Sequence, residues 1–424
     1  MGAAANVLIL GGGFAGIESA TYLRRQLPDA QLTVVSDRDY FLFKPNSIYI
    51  PFGLDPERLK VQLPRALKKK NIRLVSGYAR EVDPESKRVR GTNLDLQYDY
   101  LVVATGATMR ADEVPGMTEH AATIWTTDAM LDLRRQLADA VTRAKGGRTE
   151  RVLFLVPPNN KCSGPLYEMV FMLDTYLRRE RVRSNFDLSW TTYETGYIQA
   201  FGPRLHEYTA GEFERRGIKH YNSMIVQSIS SDHVRYANGT QLPFDLLISF
   251  PPYAAAVAYP GLPADERGFI KANLTTRQVS GLDDVFVAGD AGDFPVKQAF
   301  LAFLQADAAG EQIAARILGQ EPRLGFDPVS MCVMEQFDRA TFAQVPLELT
   351  GNADSPVRVR PGSAADYRLG TGKIWRLGKK LLGAYLPWRF RAARPFHAGL
   401  PWKAMDLGLR IMSRLLATPD RSQK

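Results

Sequence analysis

A chain of 424 residues with 45% hydrophobic and 23% charged residues has a globular composition and room for two or three domains with a large core. Its two cysteines are too few for a disulfide framework but enough for one redox pair. The net charge of +9 is uneven: residues 357–424 hold 15 Lys and Arg against 3 Asp, net +12, so the remainder is close to −3 and the basic tail points to a surface partner. No apolar run of about 18 residues occurs and the N-terminus lacks a basic n-region, so neither a spanning helix nor a secretory signal peptide is expected.

Residues 7–35, VLILGGGFAGIESATYLRRQLPDAQLTVV, read as a buried strand, a glycine-rich turn, a helix and a second strand. Gly11, Gly13 and Gly16 have G-x-G-x-x-G spacing in the context that motif requires. Gly11 permits the tight turn, Gly13 lets the backbone approach a pyrophosphate, and Gly16 lets helix and strand pack closely. Phe14 and Ala15, inside the motif, are expected at the same cofactor site. The second strand ends at Ser36 and Asp37, expected to bind the adenosine ribose.

Two further buried strands follow, YDYLVVATGA at residues 98–107, closed by Thr105 and Gly106, and GLDDVFVAGDAGDF at residues 281–294, ending at Asp290 before a helix-forming stretch. They resemble the A-T-G and G-D motifs of two-dinucleotide-binding-domain flavoproteins. That resemblance implies FAD, with Asp290 on its ribityl chain and the following helix N-terminus facing the flavin.

An internal echo indicates a second, inserted dinucleotide-binding domain: FDLLISFPP at residues 244–252 repeats the pattern of residues 98–106. Its glycine loop should lie at residues 156–164, which read VPPNNKCSG. Pro157 and Pro158 lack amide donors, and Asn159, Asn160 and Lys161 would obstruct a pyrophosphate, so no NAD(P)H binding is expected there. The loop carries Cys162 instead. A helix beginning after Pro165 and the adjacent Lys161 are expected to lower its pKa and favour the nucleophilic thiolate. Cys332 is the second sulfur.

These features together resemble the sulfide:quinone oxidoreductase family, over nearly the whole chain. VVSDRDYFLFKP (34–45) is similar to its second strand and the loop under the flavin, which brings in Pro45; KCSGPLYE (161–168) to its first active-site cysteine motif with a downstream Glu168; CVMEQFDRATFAQV (332–345) to the segment after its second essential cysteine; and DFPVKQA (293–299) to its Pro-x-Lys, placing Lys297 near the flavin pyrimidine. Ala79 is assigned to the same cofactor site. The chain departs from the family at Trp125, where many members have a third cysteine, and in lacking histidines near the flavin and quinone; Glu168 is the substitute for proton handling. The resemblance implies catalysis by Cys162, Cys332 and Glu168, with a sulfide or small persulfide donor, bound FAD and a quinone acceptor, and no metal.

The tail adds two apolar and basic segments. Residues 374–391 carry Trp375, Tyr385 and Trp388, expected at a membrane interface. In residues 401–416, Trp402, Met405, Leu409, Met412 and Leu416 form one helical face, with Lys403, Asp406, Arg410 and Arg414 opposite. Peripheral attachment to the cell membrane through these helices, and a possible homo-oligomer, follow; a nucleic-acid partner does not. The expected fold is α/β, with two Rossmann-like doubly wound domains and a C-terminal amphipathic helical segment. Residues 1–109 and 276–325 would form the FAD domain, 110–275 the second domain, and 326–424 a C-terminal domain. Alternatives are a type II NADH:quinone oxidoreductase, the flavin subunit of a sulfide dehydrogenase, and a flavin/cysteine redox sensor.

Overall fold

The computed structural model describes residues 5–353, 355–396 and 399–419. In chain order the principal strands are β1 (Asn6–Leu10), β2 (Gln31–Ser36), β3 (Arg73–Ser76), β4 (Tyr100–Val103), β5 (Ala121–Thr123), β6 (Glu150–Val156), β7 (Phe186–Thr192), β8 (Lys219–Tyr221), β9 (Leu246–Ser249), β10 (Val285–Val287), β11 (Val329–Glu335), β12 (Ala340–Leu349), β13 (Val357–Val359) and β14 (Arg368–Gly372). The principal helices are α1 (Phe14–Gln26), α2 (Thr127–Lys145), α3 (Gly164–Arg179), α4 (Gly202–Arg216), α5 (Ala299–Leu318), α6 (Lys373–Arg391) and α7 (Gly399–Leu416).

Two parallel five-stranded sheets repeat one plan. The first has the order β10-β4-β1-β2-β3 and the second β5-β9-β6-β7-β8. Parallel strands need crossover helices on the sheet faces and are themselves buried on both sides, which is why β1, β4, β6 and β9 are nearly unbroken apolar runs. The echoing segments at residues 98–106 and 244–252 hold equivalent places: β4 lies beside β1, and β9 beside β6. The fold is therefore the expected α/β arrangement with two Rossmann-like sheets.

Helix α3 is apolar around most of its circumference, and Leu166, Tyr167, Met169, Val170, Phe171, Met172 and Leu173 are all fully buried. Such a helix needs cover on both sides. The second sheet supplies one side, and β11 packs against α3 from the other. Strand β11 belongs to an antiparallel sheet, β11-β12-β14, with β13 paired to β12, which the helical reading of the tail did not anticipate. A buried ion-pair network joins the end of this sheet to α3 and α4: Asp174 on α3 accepts from Arg178, Arg183 and Arg216, and Arg216 also donates to Gln336 Oε1 at 2.8 Å.

Three expectations for the chain's second half are corrected. The helix after Asp290 does not start there: Gly289–Ala291 form a 3₁₀ turn, and α5 begins only at Ala299, because a loop containing Pro295 intervenes. Trp375 is not interfacial; it is 2% exposed and stacks on Phe342 with centroids 4.3 Å apart. On α7, Met412 packs toward this same Phe342–Trp375 cluster, so the face chosen from sequence turns inward there, while Leu416 is half exposed. The side chains of Trp402, Met405, Asp406 and Leu409 lie outside the described residues. The exposed apolar stripe of α7 is Leu400, Leu407, Ile411 and Leu415, and α6 exposes Ile374, Leu377, Leu381 and Trp388. Both stripes follow 3- and 4-residue spacing, with Lys380, Lys403, Arg410 and Arg414 also exposed on these helices. Among the described residues, no helix is long and apolar enough to cross a membrane.

Candidate active site

A single cavity of about 1280 Å³ runs from the first sheet's glycine loop, past the second sheet, to α6. Every catalytic or cofactor-site residue expected from the sequence lines it except Gly16. Gly11 has φ +111°, and a Cβ there would stand 2.2 Å from the Ala104 carbonyl oxygen. A Cβ on Gly16 would stand 1.8 Å from the Gly11 carbonyl oxygen, so Gly16 acts through packing of α1 on the strand end. A Cβ on Gly13 meets nothing within 4 Å; its space opens to the cavity at the N-terminus of α1.

Around this loop, Ser36 is buried and donates to the Arg38 carbonyl at 2.7 Å. Asp37 stands exposed at the rim, beside Arg38. Ala79 is buried on the same wall, and Thr105 and Gly106 close β4. Asp290 makes no hydrogen bond or ion pair within its distance limits among the described residues. Burial raises its carboxyl above the usual range, with the ammonium groups of Lys297 and Lys44 opposing that rise. Lys297 donates to the Gly292 carbonyl and lies 3.8 Å from the centroid of Phe269; burial depresses it to about 7.

An open glycine cradle at a helix N-terminus, a rim acid and a half-buried carboxylate free to accept a hydrogen bond are the polar groups that a dinucleotide with a flavin ring requires. The residues present fit FAD.

One residue missed from the sequence, Lys44, joins this wall together with Trp125. Lys44 is depressed to about 7 by burial, and its ammonium sits 2.9 Å from the centroid of Trp125. The pair reaches across from the loop before Pro45 to the start of α2. Trp125 in turn packs with Phe250 and Tyr253, an aromatic wall beside Cys162. The only sequence signal for Lys44 was its place beside Pro45.

In the second sheet the loop after β6 is filled by its own side chains. Asn160 is buried, donates from Nδ2 to the Phe250 carbonyl at 2.7 Å and accepts the Cys162 amide on Oδ1 at 3.0 Å. Asn159 has φ +62°, and its carbonyl accepts the Tyr253 amide. These bonds occupy the ground over which a pyrophosphate would lie, and they turn Cys162 into the cavity.

Cys162 and Cys332 come from α3's leading loop and from β11 and line the same cavity, both as free thiols. The expected activation of Cys162 is not found. Burial pushes its thiol well above the usual range, and a charge on Cys332 would push it further; the Gly164 amide opposes only weakly. Cys332 is pushed up to about 12 by burial, with Glu168 adding to the rise. Lys161 is itself depressed by burial. Desolvation outweighs the helix N-terminus although both side chains are only half-buried and face the cavity.

Glu168 is 8% exposed and thus not a helix-surface carboxylate. It accepts the Glu335 amide at 3.0 Å and pairs with Lys379 of α6, which also donates to the Val333 carbonyl at 2.8 Å. Burial raises its carboxyl, and Lys379 opposes this. Glu335 accepts from Tyr49 and Arg376, both at 2.8 Å. A second buried acid, Glu194, lines the cavity near Ser163. It stands just past the end of β7, the place that Ser36 and Asp37 hold after β2, and the internal duplication was the signal that could have found it.

Residues 5–152 match the family described as Pyridine nucleotide-disulphide oxidoreductase. A sulfide-quinone reductase of Aquifex aeolicus is 31% identical over 242 residues, covering 55% of this chain and 54% of that protein. A mitochondrial sulfide:quinone oxidoreductase of Schizosaccharomyces pombe is 26% identical over 330 residues, 70% of each chain. The chain is similar in sequence to members of the sulfide:quinone oxidoreductase family over 55–70% of its length. Members of this family are FAD-binding flavoproteins. The alignment spans about half the length of the Aquifex relative (54%). The crystal structure of the Aquifex aeolicus sulfide:quinone oxidoreductase superposes with a TM-score of 0.83 at 22% identity, covering 99% of this chain and 98% of that one, which establishes the shared fold.

The glycine geometry yields a paired prediction. Gly13→Ala should leave thermal stability of the flavin-free protein unchanged but abolish retention of FAD on purification. Gly16→Ala should destabilise the flavin-free protein by about 2–3 kcal/mol through overpacking, measured by urea unfolding.

Proposed function

We propose that this protein oxidises a sulfur donor, sulfide or a small persulfide, at Cys162 and Cys332 and passes the electrons to a membrane quinone. The observation that carries this reading is the exchange at the second sheet. Where a nicotinamide dinucleotide would need open glycine backbone, Asn160 fills the loop, and Cys162 is presented to the cavity that also receives Cys332. The division at residues 109–110, 275–276 and 325–326 into FAD, second and C-terminal domains is part of this reading.

The resting oxidised pair is a Cys162–Cys332 disulfide or sulfur-bridged link. Hydrosulfide attacks one sulfur; a new S–S bond forms, the old one breaks, and the other cysteine leaves as a thiolate carrying the electron pair. Burial, which disfavours that thiolate, makes it a strong electron donor that does not persist. FAD supplies two-electron acceptance from sulfur and delivery to quinone. Lys297 and Lys44, both at about 7, hold positive charge beside Asp290 where negative charge develops. Glu168 and Lys379 border the cavity end toward α6, where Leu382 and Leu386 give it an apolar lining suited to a quinone, and where a proton can be held on the Glu168 carboxyl. The exposed stripes of α6 and α7, with their basic neighbours, suit an anionic bilayer surface from which a lipid-soluble acceptor enters.

In anaerobic mixing of the flavin-loaded protein, sulfide should bleach the flavin within seconds and a quinone should restore it, whereas NADH should leave it oxidised. Cys162→Ala and Cys332→Ala should each slow bleaching by sulfide at least about a hundredfold. Rapid bleaching by NADH, or by sulfide in both variants, would contradict the reading. For the membrane, Leu377→Glu with Leu381→Glu should reduce co-sedimentation with anionic vesicles about tenfold, with bleaching by sulfide unchanged.

A further inference from the structure

Glu194 has no part in the chemistry above, yet it lines the cavity with Gln199, Thr195 and Ile225; Thr195 and Ile225 are exposed as well as cavity-lining, so they mark an uncharged mouth beside this carboxyl group. Its side chain is 9% exposed. Oε2 accepts from Thr192 Oγ at 3.0 Å and from Ser163 Oγ at 3.5 Å, and Oε1 accepts the Gln199 amide at 3.0 Å. Ser163 directly follows Cys162, so the carboxylate borders the path from the mouth to that sulfur.

The neighbours of Glu194 leave it without a counter-charge. Among the described residues, no Lys, Arg or His lies within ion-pair distance of it. The ionisable groups around it are the Tyr167 hydroxyl from α3, the adjacent Tyr193, and the thiol of Cys162 beyond Ser163. The two histidines of this corner are engaged elsewhere: His206 of α4 accepts the Tyr197 amide at 2.8 Å, and His220 of β8 bonds the Tyr197 hydroxyl at 2.6 Å. A structural acid of this depth is usually ion-paired. An unpaired one at the mouth of a reaction cavity is a site for a proton.

We propose that Glu194 is the base that takes the proton from a neutral –SH donor as it reaches Cys162. The inference rests on the sulfur-oxidising reading and deepens it. An uncharged mouth admits hydrogen sulfide or an organic hydropersulfide more readily than its anion, since the anion must shed its hydration to enter. The nucleophile in disulfide exchange, however, is the anion. Glu194 closes this gap. The donor S–H bond breaks, its proton passes to the Glu194 carboxylate, and the resulting anion attacks one sulfur of the Cys162–Cys332 disulfide. One S–S bond forms, one S–S bond breaks, and the departing thiolate carries the electron pair. The proton leaves from Glu194 to solvent at the mouth. Burial raises the Glu194 carboxyl to about 7, against hydrogen bonds from Thr192, Gln199, Ser163 and Tyr167 that lower it, which suits exchange with a donor that ionises near neutrality.

The test is anaerobic flavin reduction by sulfide across about pH 6 to 9, at constant total sulfide, in wild type, Glu194→Gln and Thr192→Val. Glu194→Gln should be slowed at least about tenfold at the acidic end and approach wild type at the alkaline end, where solution already supplies the anion. Thr192→Val removes a hydrogen bond to the carboxylate, so the rising limb of its profile should move to higher pH. Bleaching by dithionite should be the same in all three. A Glu194→Gln profile that superimposes on wild type would overturn the inference and leave the sulfur-oxidising reading standing; wild type that sulfide does not reduce at any pH would overturn both. Should Glu194→Gln fail to retain flavin, an unshifted Thr192→Val profile would overturn the inference alone.

Discussion

One buried carboxylate sets the relation between the parts of this protein. Glu168, on the second turn of α3, binds the amide of Glu335 at the end of β11 and the ammonium of Lys379 on α6. Cys162 leads into α3 and Cys332 lies on β11, so the distance between the sulfurs depends on this junction. Lys379 adds α6 to the same point. Burying a carboxylate and an ammonium is expensive unless both are paired and hydrogen-bonded, and here both are, which leaves this packing of helix, strand and helix preferred over slipped alternatives. Arg216 extends the clamp from Asp174 to Gln336 one residue beyond the strand.

The rest of the chemistry follows from one plan used twice. The first sheet keeps its loop open with three glycines, each for a different steric reason. The second keeps the strands and the helix and gives the loop to Asn160, whose amide does internally what a ligand's phosphate would do from outside. The space released holds a thiol. In the proposed reaction the two cysteines serve as members of a disulfide or as transient thiolates rather than as standing nucleophiles, and acid–base work falls to the carboxyl groups of Glu168 and Glu194.

Much of this was legible in the sequence because it is local. Gly11, Gly13 and Gly16 act within one turn, and the strand echo at residues 98–106 and 244–252 reports a repeated sheet position. What the sequence hid depends on partners far along the chain. Trp375 has the composition of an interfacial residue, and only Phe342, packed from β12, makes it core. Helix α7 has apolar residues on two faces, so periodicity alone could not say which turns outward. The antiparallel sheet was missed because β13 spans three residues and β12 contains Pro346, and its register exists only once β11, β12 and β14 meet. Cys162 was read as activated because a helix N-terminus and a lysine are visible in sequence, whereas depth is not. Glu194 was overlooked although its place after β7 mirrors that of Asp37 after β2.

The proposed reaction depends on the junction at Glu168 bringing Cys162 and Cys332 together as one redox pair. It is tested most directly by peptide mass mapping, without reductant, of the flavin-loaded protein after oxidation by quinone. One cross-linked species joining the peptides that carry Cys162 and Cys332, directly or through added sulfur, is expected, converted to two alkylatable thiols on reduction. Recovery of both cysteines as separately alkylated peptides from the oxidised protein would contradict it.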